Sequence, residues 1–274
     1  MIIDSHQHFW NYEAEKDAWI TDEMAVLRND FQPDALQKIL EEQNISGCIA
    51  VQADQSVEET YRLINWADEY DFIKGVVGWI DLKGSGLEME LGKLRIFEKL
   101  KGFRHILQAE EPEFMLDNRF VKGLSLLAKY GYSYDLLVLP RHLPATVKLV
   151  EQLPDLHFVL DHLAKPLIKE AKTEPWRTDL EKLAAFPNVS AKLSGLVTEG
   201  DWDNVRYEKL QTYLEIAMEL FGPDRLMYGS DWPVMLLATG YDGWIKMVEQ
   251  FLSKYPFDVK EKVLYQNAER VYKL

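Results

Sequence analysis

Cysteine is almost absent: Cys48 is the single one in 274 residues. One thiol excludes an intramolecular disulfide framework and fits a reducing cytoplasm. Its surroundings, Gly47-Cys-Ile-Ala-Val51, are apolar, so it reads as core rather than as a nucleophile. No apolar run approaches the roughly 18 residues of a membrane-spanning helix. The chain starts without a basic region ahead of its apolar residues, and Asp4 arrives at once, so no signal peptide is expected. Positive charge is scarce: 31 Lys and Arg stand against 45 Asp and Glu, a formal net charge of −14. Nonspecific binding to nucleic acid or anionic membranes needs basic patches and is therefore not expected. Gly/Ser linkers, low-complexity segments and breaks in composition are missing, so residues 1–274 read as one domain.

Apolar residues make up 47% of the sequence, enough for a large core. Their spacing alternates between strand and helix from end to end. The predicted strands are Ile2–His8, Ile49–Val51, Gly75–Ile80, Gly102–Ile106, Tyr134–Leu139, His157–Leu160, Val189–Leu193 and Leu226–Tyr228. Apolar stripes at helical spacing follow each of them. The first is opened by Pro33 and the seventh is closed by Gly222-Pro223. A last helix, about Val259 to Val271, is expected to pack across the barrel. The stretch Phe9–Gln32 is long and aromatic, with Trp10, Tyr12 and Trp19. A loop of that length after a first strand suits a lid or a wall. Eight strand–helix units favour a parallel sheet with helical crossovers, closed as a (β/α)8 TIM barrel with an extra helix at its end. An open doubly wound sheet is the alternative, weakened because no Gly-rich phosphate fingerprint follows strand one.

Active sites of such barrels lie at the carboxyl ends of the strands. Those ends carry His6 and His8; Trp79 and Asp81; Arg104, His105 and Gln108; Asp135; Asp161, His162 and Lys165; Lys192 and Ser194; and Asp231 with Trp232. Five of the six histidines fall at or just beyond strand ends, which a purely structural barrel does not require. His6 and His8 share one face of their strand. Together they suit one cation or one substrate oxygen, although an ordinary hydrogen-bonded pair would look the same. Asp231 reads as the catalytic residue, against the simpler reading of a turn cap. His162 reads as functional, against a helix-capping or buried histidine. Arg104 and Lys192 are either substrate-binding cations or structural partners of Asp135 and Asp161. Only one of Arg104 and His105 can face the lumen. Trp10, Trp79 and Trp232, with Gln108 and Asp135, suit the aromatic and polar wall of a sugar site, although the three tryptophans could equally be core. His142 and His157 read as structural.

The set Asp4-Ser-His-Gln-His8, Lys101-Gly-Phe-Arg-His105, Leu160-Asp-His-Leu-Ala-Lys-Pro166, Lys192-Leu-Ser194 and Gly229-Ser-Asp-Trp-Pro233 resembles the amidohydrolase superfamily. Within it, the resemblance is to the amidohydrolase-2 branch of sugar-lactone hydrolases, of the L-fucono- and L-rhamnono-lactone type. Gln266-Asn-Ala-Glu-Arg270 fits as well. The resemblance spans almost the whole chain. It implies a barrel with a hydrolytic site at its mouth and metal ligands at His6, His8, His162 and Asp231. Two-metal members of the superfamily add a bridging lysine or acid and a strand-five histidine. Neither is evident here, which implies one divalent cation, Zn2+ foremost, or none. The reaction implied is opening of a lactone ring, with Asp231 as general base for water and His162 able to protonate the leaving oxygen. The developing oxyanion would be met by metal or by His, Arg104 and Lys192. Two other readings remain. One is a metal-dependent decarboxylase of an aromatic or unsaturated acid, as in related barrels. The other is a non-enzymatic binding protein, which would leave the strand-end cluster an accident.

Overall fold

The computed structural model describes residues 1–274. Eight parallel strands follow one another in sequence order around the sheet. They are β1 (Ile3–Gln7), β2 (Gly47–Val51), β3 (Ile73–Gly78), β4 (Leu100–His105), β5 (Ser133–Leu136), β6 (Phe158–Leu160), β7 (Val189–Leu193) and β8 (Leu226–Tyr228). The sheet closes on itself just beyond β8. There Asp231 N–H donates to the His6 carbonyl at 2.8 Å and His8 N–H donates to the Trp232 carbonyl at 2.7 Å. The architecture is a (β/α)8 barrel. The closing bonds run through the backbone of His6, His8 and Asp231, so closing the sheet brings these three residues together.

Helices cover the outside: α1 (Pro33–Glu42), α2 (Val57–Glu69), α3 (Leu87–Leu94), α4 (Asn118–Tyr130), α5 (Leu143–Glu151), α6 (Trp176–Ala184), α7 (Tyr207–Phe221) and α8 (Tyr241–Leu252). Their limits follow local chemistry. Pro33 stands at the first position of α1, where its missing N–H costs nothing. Ser56 caps α2 by accepting from Glu59 N–H at 3.2 Å. Gly131, at φ +81°, ends α4 in the left-handed conformation that glycine adopts without penalty. Each helix buries an apolar stripe, such as Leu210, Leu214 and Ala217 of α7, against the outward face of the strands. Fully burying one such leucine contributes on the order of 2 kcal/mol.

Alternation along the strands sorts the two faces. Phe103, Tyr134, Phe158 and Leu193 join the outer core. Ile3, Ile49, Val51, Val77, Val159 and Met227 form a separate apolar cluster inside the lower lumen. The last helix runs as α9 (Phe257–Glu261) and α10 (Asn267–Tyr272), joined by one wider turn over Lys262–Gln266. Its Ala268, Val271 and Tyr272 complete the inner cluster and plug the amino-terminal end of the barrel. The expected packing of this helix across the barrel is what the structure shows. Above the plug the lumen changes character, because its next layer is charged.

The stretch Phe9–Gln32 has one helical turn, Asp22–Leu27. It is tied back by a pair of bonds between Trp10 and Phe31, at 3.0 and 2.8 Å.

Candidate active site

Two layers of polar side chains fill the lumen above the plug. The lower layer is Arg104, Asp135, Asp161 and Lys192, all essentially without solvent contact. Register explains it: Arg104 of β4 pairs with Asp135 of β5, and Lys192 of β7 pairs with Met227 of β8, on the inward face. Lys192 Nζ donates to Asp135 Oδ2 at 2.5 Å and lies 3.0 Å from Asp161 Oδ1. Arg104 Nη1 donates to Asp161 Oδ2 at 3.1 Å, and its Nη2 is taken by the backbone carbonyl and side chain of Gln52. Buried charges of opposite sign are tolerable only when paired in this way. Burial pushes the Asp161 carboxyl up, but Lys192, His6 and Arg104 outweigh it and hold it well below the usual range. The same burial, less fully offset, leaves Asp135 at about 6.

The upper layer is His6, His8, His162 and Asp231. A bulge in β1 between Asp4 and Gln7 breaks the alternation. His8 Nδ1 donates to the Val51 carbonyl at 2.8 Å. His6 Nδ1 faces Asp161 Oδ1 at 3.1 Å, and an ionised carboxylate only accepts. Both protons are therefore held on Nδ1, and both Nε2 lone pairs point at the same place, 3.1 Å apart. Asp231 Oδ1 lies 3.4 Å from His8 Nε2, 3.7 Å from His6 Nε2 and 3.9 Å from His162 Nε2. His162 Nδ1 is engaged by Ser194 Oγ at 2.9 Å. Burial drives the His162 imidazole down to about 4, and burial likewise keeps His6 neutral. Burial also pushes the Asp231 carboxyl up, whereas positive charge on His162, His8 and His6 lowers it.

The backbone delivering these groups is strained. Asp231 has φ +61°, and His162 to Lys165 form a run of four left-handed residues at φ +51° to +58°. Non-glycine residues rarely adopt that region, and such outliers cluster at functional sites. Gly195, at φ +65°, gives His162 its room: a Cβ there would lie 2.4 Å from His162 Nδ1.

Two lone pairs facing each other at 3.1 Å without a proton between them repel, and a cation relieves this. The donor set of two imidazoles and a carboxylate, His6, His8 and Asp231, fits a divalent ion. A tetrahedral ion about 2.0–2.1 Å from each ligand has ligand–ligand edges of about 3.4 Å. The three edges here, 3.1, 3.4 and 3.7 Å, straddle that figure. The outer contacts of both rings, to Asp161 and Val51, are of the kind that orient metal-binding histidines.

Above these groups a cavity of about 390 Å3 opens at the carboxyl ends of the strands. Arg104, Gln108, His8, His162, Asp231 and Trp10 line it, as expected, and so do Trp19 of the same long loop, Gln55 and Lys165. Trp10 Nε1 and Gln108 Oε1 are buried without a partner, and the Gln55 carbonyl oxygen is spent on Ile106 N–H.

Other expected site residues are placed elsewhere. Lys192 and Asp135 lie beneath the floor, paired with each other. Arg104 faces the lumen while His105 faces outward, stacked on Phe114 and bonded to Trp79 Nε1 at 3.2 Å. Trp79 is thereby drawn away from the cavity. Trp232 packs against Phe9 and Phe31 and takes no part in the cavity lining. His142 and His157 bond to the Glu110 carbonyl and Ser190. Asp161, expected only as a partner of Arg104 or Lys192, also engages His6; its place after an outward Leu160 was the available signal. Gln55 as a cavity wall had no comparable signal, whereas Lys165 stood among the strand-end groups.

The family model described as Amidohydrolase matches residues 3–274. The chain is 42% identical to an L-fucono-1,5-lactonase of Burkholderia multivorans, over 91% of this chain and 88% of that protein. It is 32% identical to an L-fucono-1,5-lactonase of Burkholderia ambifaria, over 99% and 95% of the two chains. A crystal structure of an amidohydrolase from Burkholderia multivorans with bound zinc superposes with a TM-score of 0.97. Its identity is 40%, with coverage of 100% of this chain and 99% of that one.

Proposed function

This chain belongs to the amidohydrolase family, and we propose that it acts as one barrel domain that opens the ring of a sugar lactone by hydrolysis. The observation that carries the reading is the convergence of three imidazoles on Asp231 at the floor of a cavity with unsatisfied hydrogen-bonding groups. The similarity to two L-fucono-1,5-lactonases supports the substrate class.

His6, His8 and Asp231 would hold one divalent cation, with His162 beside them. Zinc is the ion we favour, since a similar structure carries it. Such an ion supplies Lewis-acid polarisation of a carbonyl or a lowered water pKa. This chain's own residues then do the following. Asp231, kept ionised, accepts a proton from the attacking water as the water oxygen bonds to the lactone carbonyl carbon. The ring C–O bond breaks, and the proton passes to the departing ring oxygen through His162. The product is a hydroxy acid, which loses one proton at neutral pH. Trp10 Nε1, Gln108 and the Gln55 amide orient the sugar hydroxyls, and Lys165 adds positive charge at the wall. Arg104 Nη1, which donates to Asp161, lies 3.4 Å from His6 Nε2 and adds positive charge at the floor.

A pH-indicator assay over aldono-1,4- and 1,5-lactones tests the reading, with Asp231→Asn as control. Proton release by the wild type that vanishes in the variant is the expected result. Silence across the panel, with and without added zinc, would overturn it.

A further inference from the structure

The last helix does more than plug the barrel. Tyr272 of α10 sends its hydroxyl up to Asp135, 3.0 Å from Oδ2 and 3.2 Å from Oδ1. Asp135 Oδ2 accepts from Lys192 Nζ. Lys192 Nζ lies 3.0 Å from Asp161 Oδ1 and 3.1 Å from His6 Nδ1. Asp161 Oδ1 completes the triangle at 3.1 Å from the same His6 nitrogen. All five side chains are buried. A chain of hydrogen bonds between buried side chains thus runs from one end of the barrel to an imidazole at the other.

We propose that Tyr272 is a positioning residue for the active site: its hydroxyl holds Asp135 onto Lys192, and Lys192 with Asp161 then holds the His6 ring. His6 Nδ1 has two neighbours of opposite kind, an ammonium that can only donate and a carboxylate that can only accept. Nε2 keeps its lone pair only while the carboxylate has the Nδ1 proton, which requires the ammonium to be committed elsewhere. Asp135 is that commitment, and Tyr272 is the second donor that aims it. The helix is itself anchored for the task. Asn267 donates to the Leu226 carbonyl at 2.8 Å, Lys101 to the Lys273 carbonyl at 2.9 Å, and Lys273 to the Gly131 carbonyl at 2.8 Å. The inference rests on His6 as a metal ligand in the proposed function.

The test is Tyr272→Phe, which keeps the ring in the plug and removes only the hydroxyl. Zinc affinity by chelator competition, kcat, KM and melting temperature are measured on wild type and variant. Zinc affinity should fall about tenfold, as for outer contacts of metal-binding histidines, and kcat should fall with KM within about twofold. A purely structural tyrosine would lower the melting temperature alone. Asp135→Asn, which keeps the shape but weakens the hold on Lys192, should reproduce the loss of zinc affinity and carries the test if the phenylalanine variant does not accumulate. A wild type that binds zinc, with variants equal to it in affinity and kcat, would overturn the relay and leave the metal reading intact. A wild type that binds no zinc would overturn both.

Discussion

His6 and His8 present their Nε2 atoms to each other across 3.1 Å, each ring donating its Nδ1–H to a separate oxygen, Asp161 Oδ1 and the Val51 carbonyl. Such a pair stores repulsion that a bound cation removes. Chelation should therefore lower both activity and melting temperature, and zinc should restore both. Thermal unfolding with and without chelator checks this. A melting temperature indifferent to metal would show that the two rings hold no ion.

Asp231 is the carboxylate on which His6, His8 and His162 converge. Asp231→Asn keeps the size and removes the base. A drop in kcat of about 10³-fold is expected, within the usual range for general-base loss, as measured by proton release on any lactone the wild type opens.

Gly195 faces His162 so closely that an added methyl would stand 2.4 Å from Nδ1, and its φ is +65°. Gly195→Ala should displace the His162 ring and break its 2.9 Å contact with Ser194. Left-handed strain adds about 1–2 kcal/mol. Activity should fall at least tenfold while the barrel still folds, as shown by far-ultraviolet circular dichroism.

Trp10 is 5% exposed, and its Nε1 has no partner. If that N–H serves a substrate hydroxyl, Trp10→Phe should lower kcat/KM about tenfold, the worth of one hydrogen bond. An unchanged kcat/KM on the preferred lactone would remove Trp10 from the site.

Glu59 pins the turn after β2, accepting from the N–H groups of Ala53 at 3.1 Å and Asp54 at 2.6 Å. Burial raises its carboxyl from 4.5 to about 7. The folded state therefore binds this proton more tightly than the unfolded chain does. The stability this confers is full below pH 4.5 and is lost as pH rises towards 7, about 3 kcal/mol in all. Glu59→Gln does not titrate. Denaturant unfolding should show the wild type losing stability relative to this variant across that window. A constant difference would contradict the shift.

Local pattern alone carried the eight strand–helix units, and with them the barrel and its carboxyl-end mouth. Apolar periodicity and capping act over a few residues and need no tertiary partner to be recognised. His6, His8, His162 and Asp231 were legible for the same reason, since polar groups at strand ends stand out against apolar runs. Tertiary structure decided the rest. Lys192 and Asp135 look like site cations and acids in the sequence, but register sank them one layer below the floor and paired them. Trp79 and Trp232 look like cavity walls, yet His105 claims one and the cluster of Phe9 and Phe31 the other. The bulge in β1, the left-handed run from His162 to Lys165 and the reach of Tyr272 across the lumen have no local signature. They depend on which strands lie opposite one another once the barrel has closed, and a buried charge takes its role from that partner rather than from its neighbours in sequence.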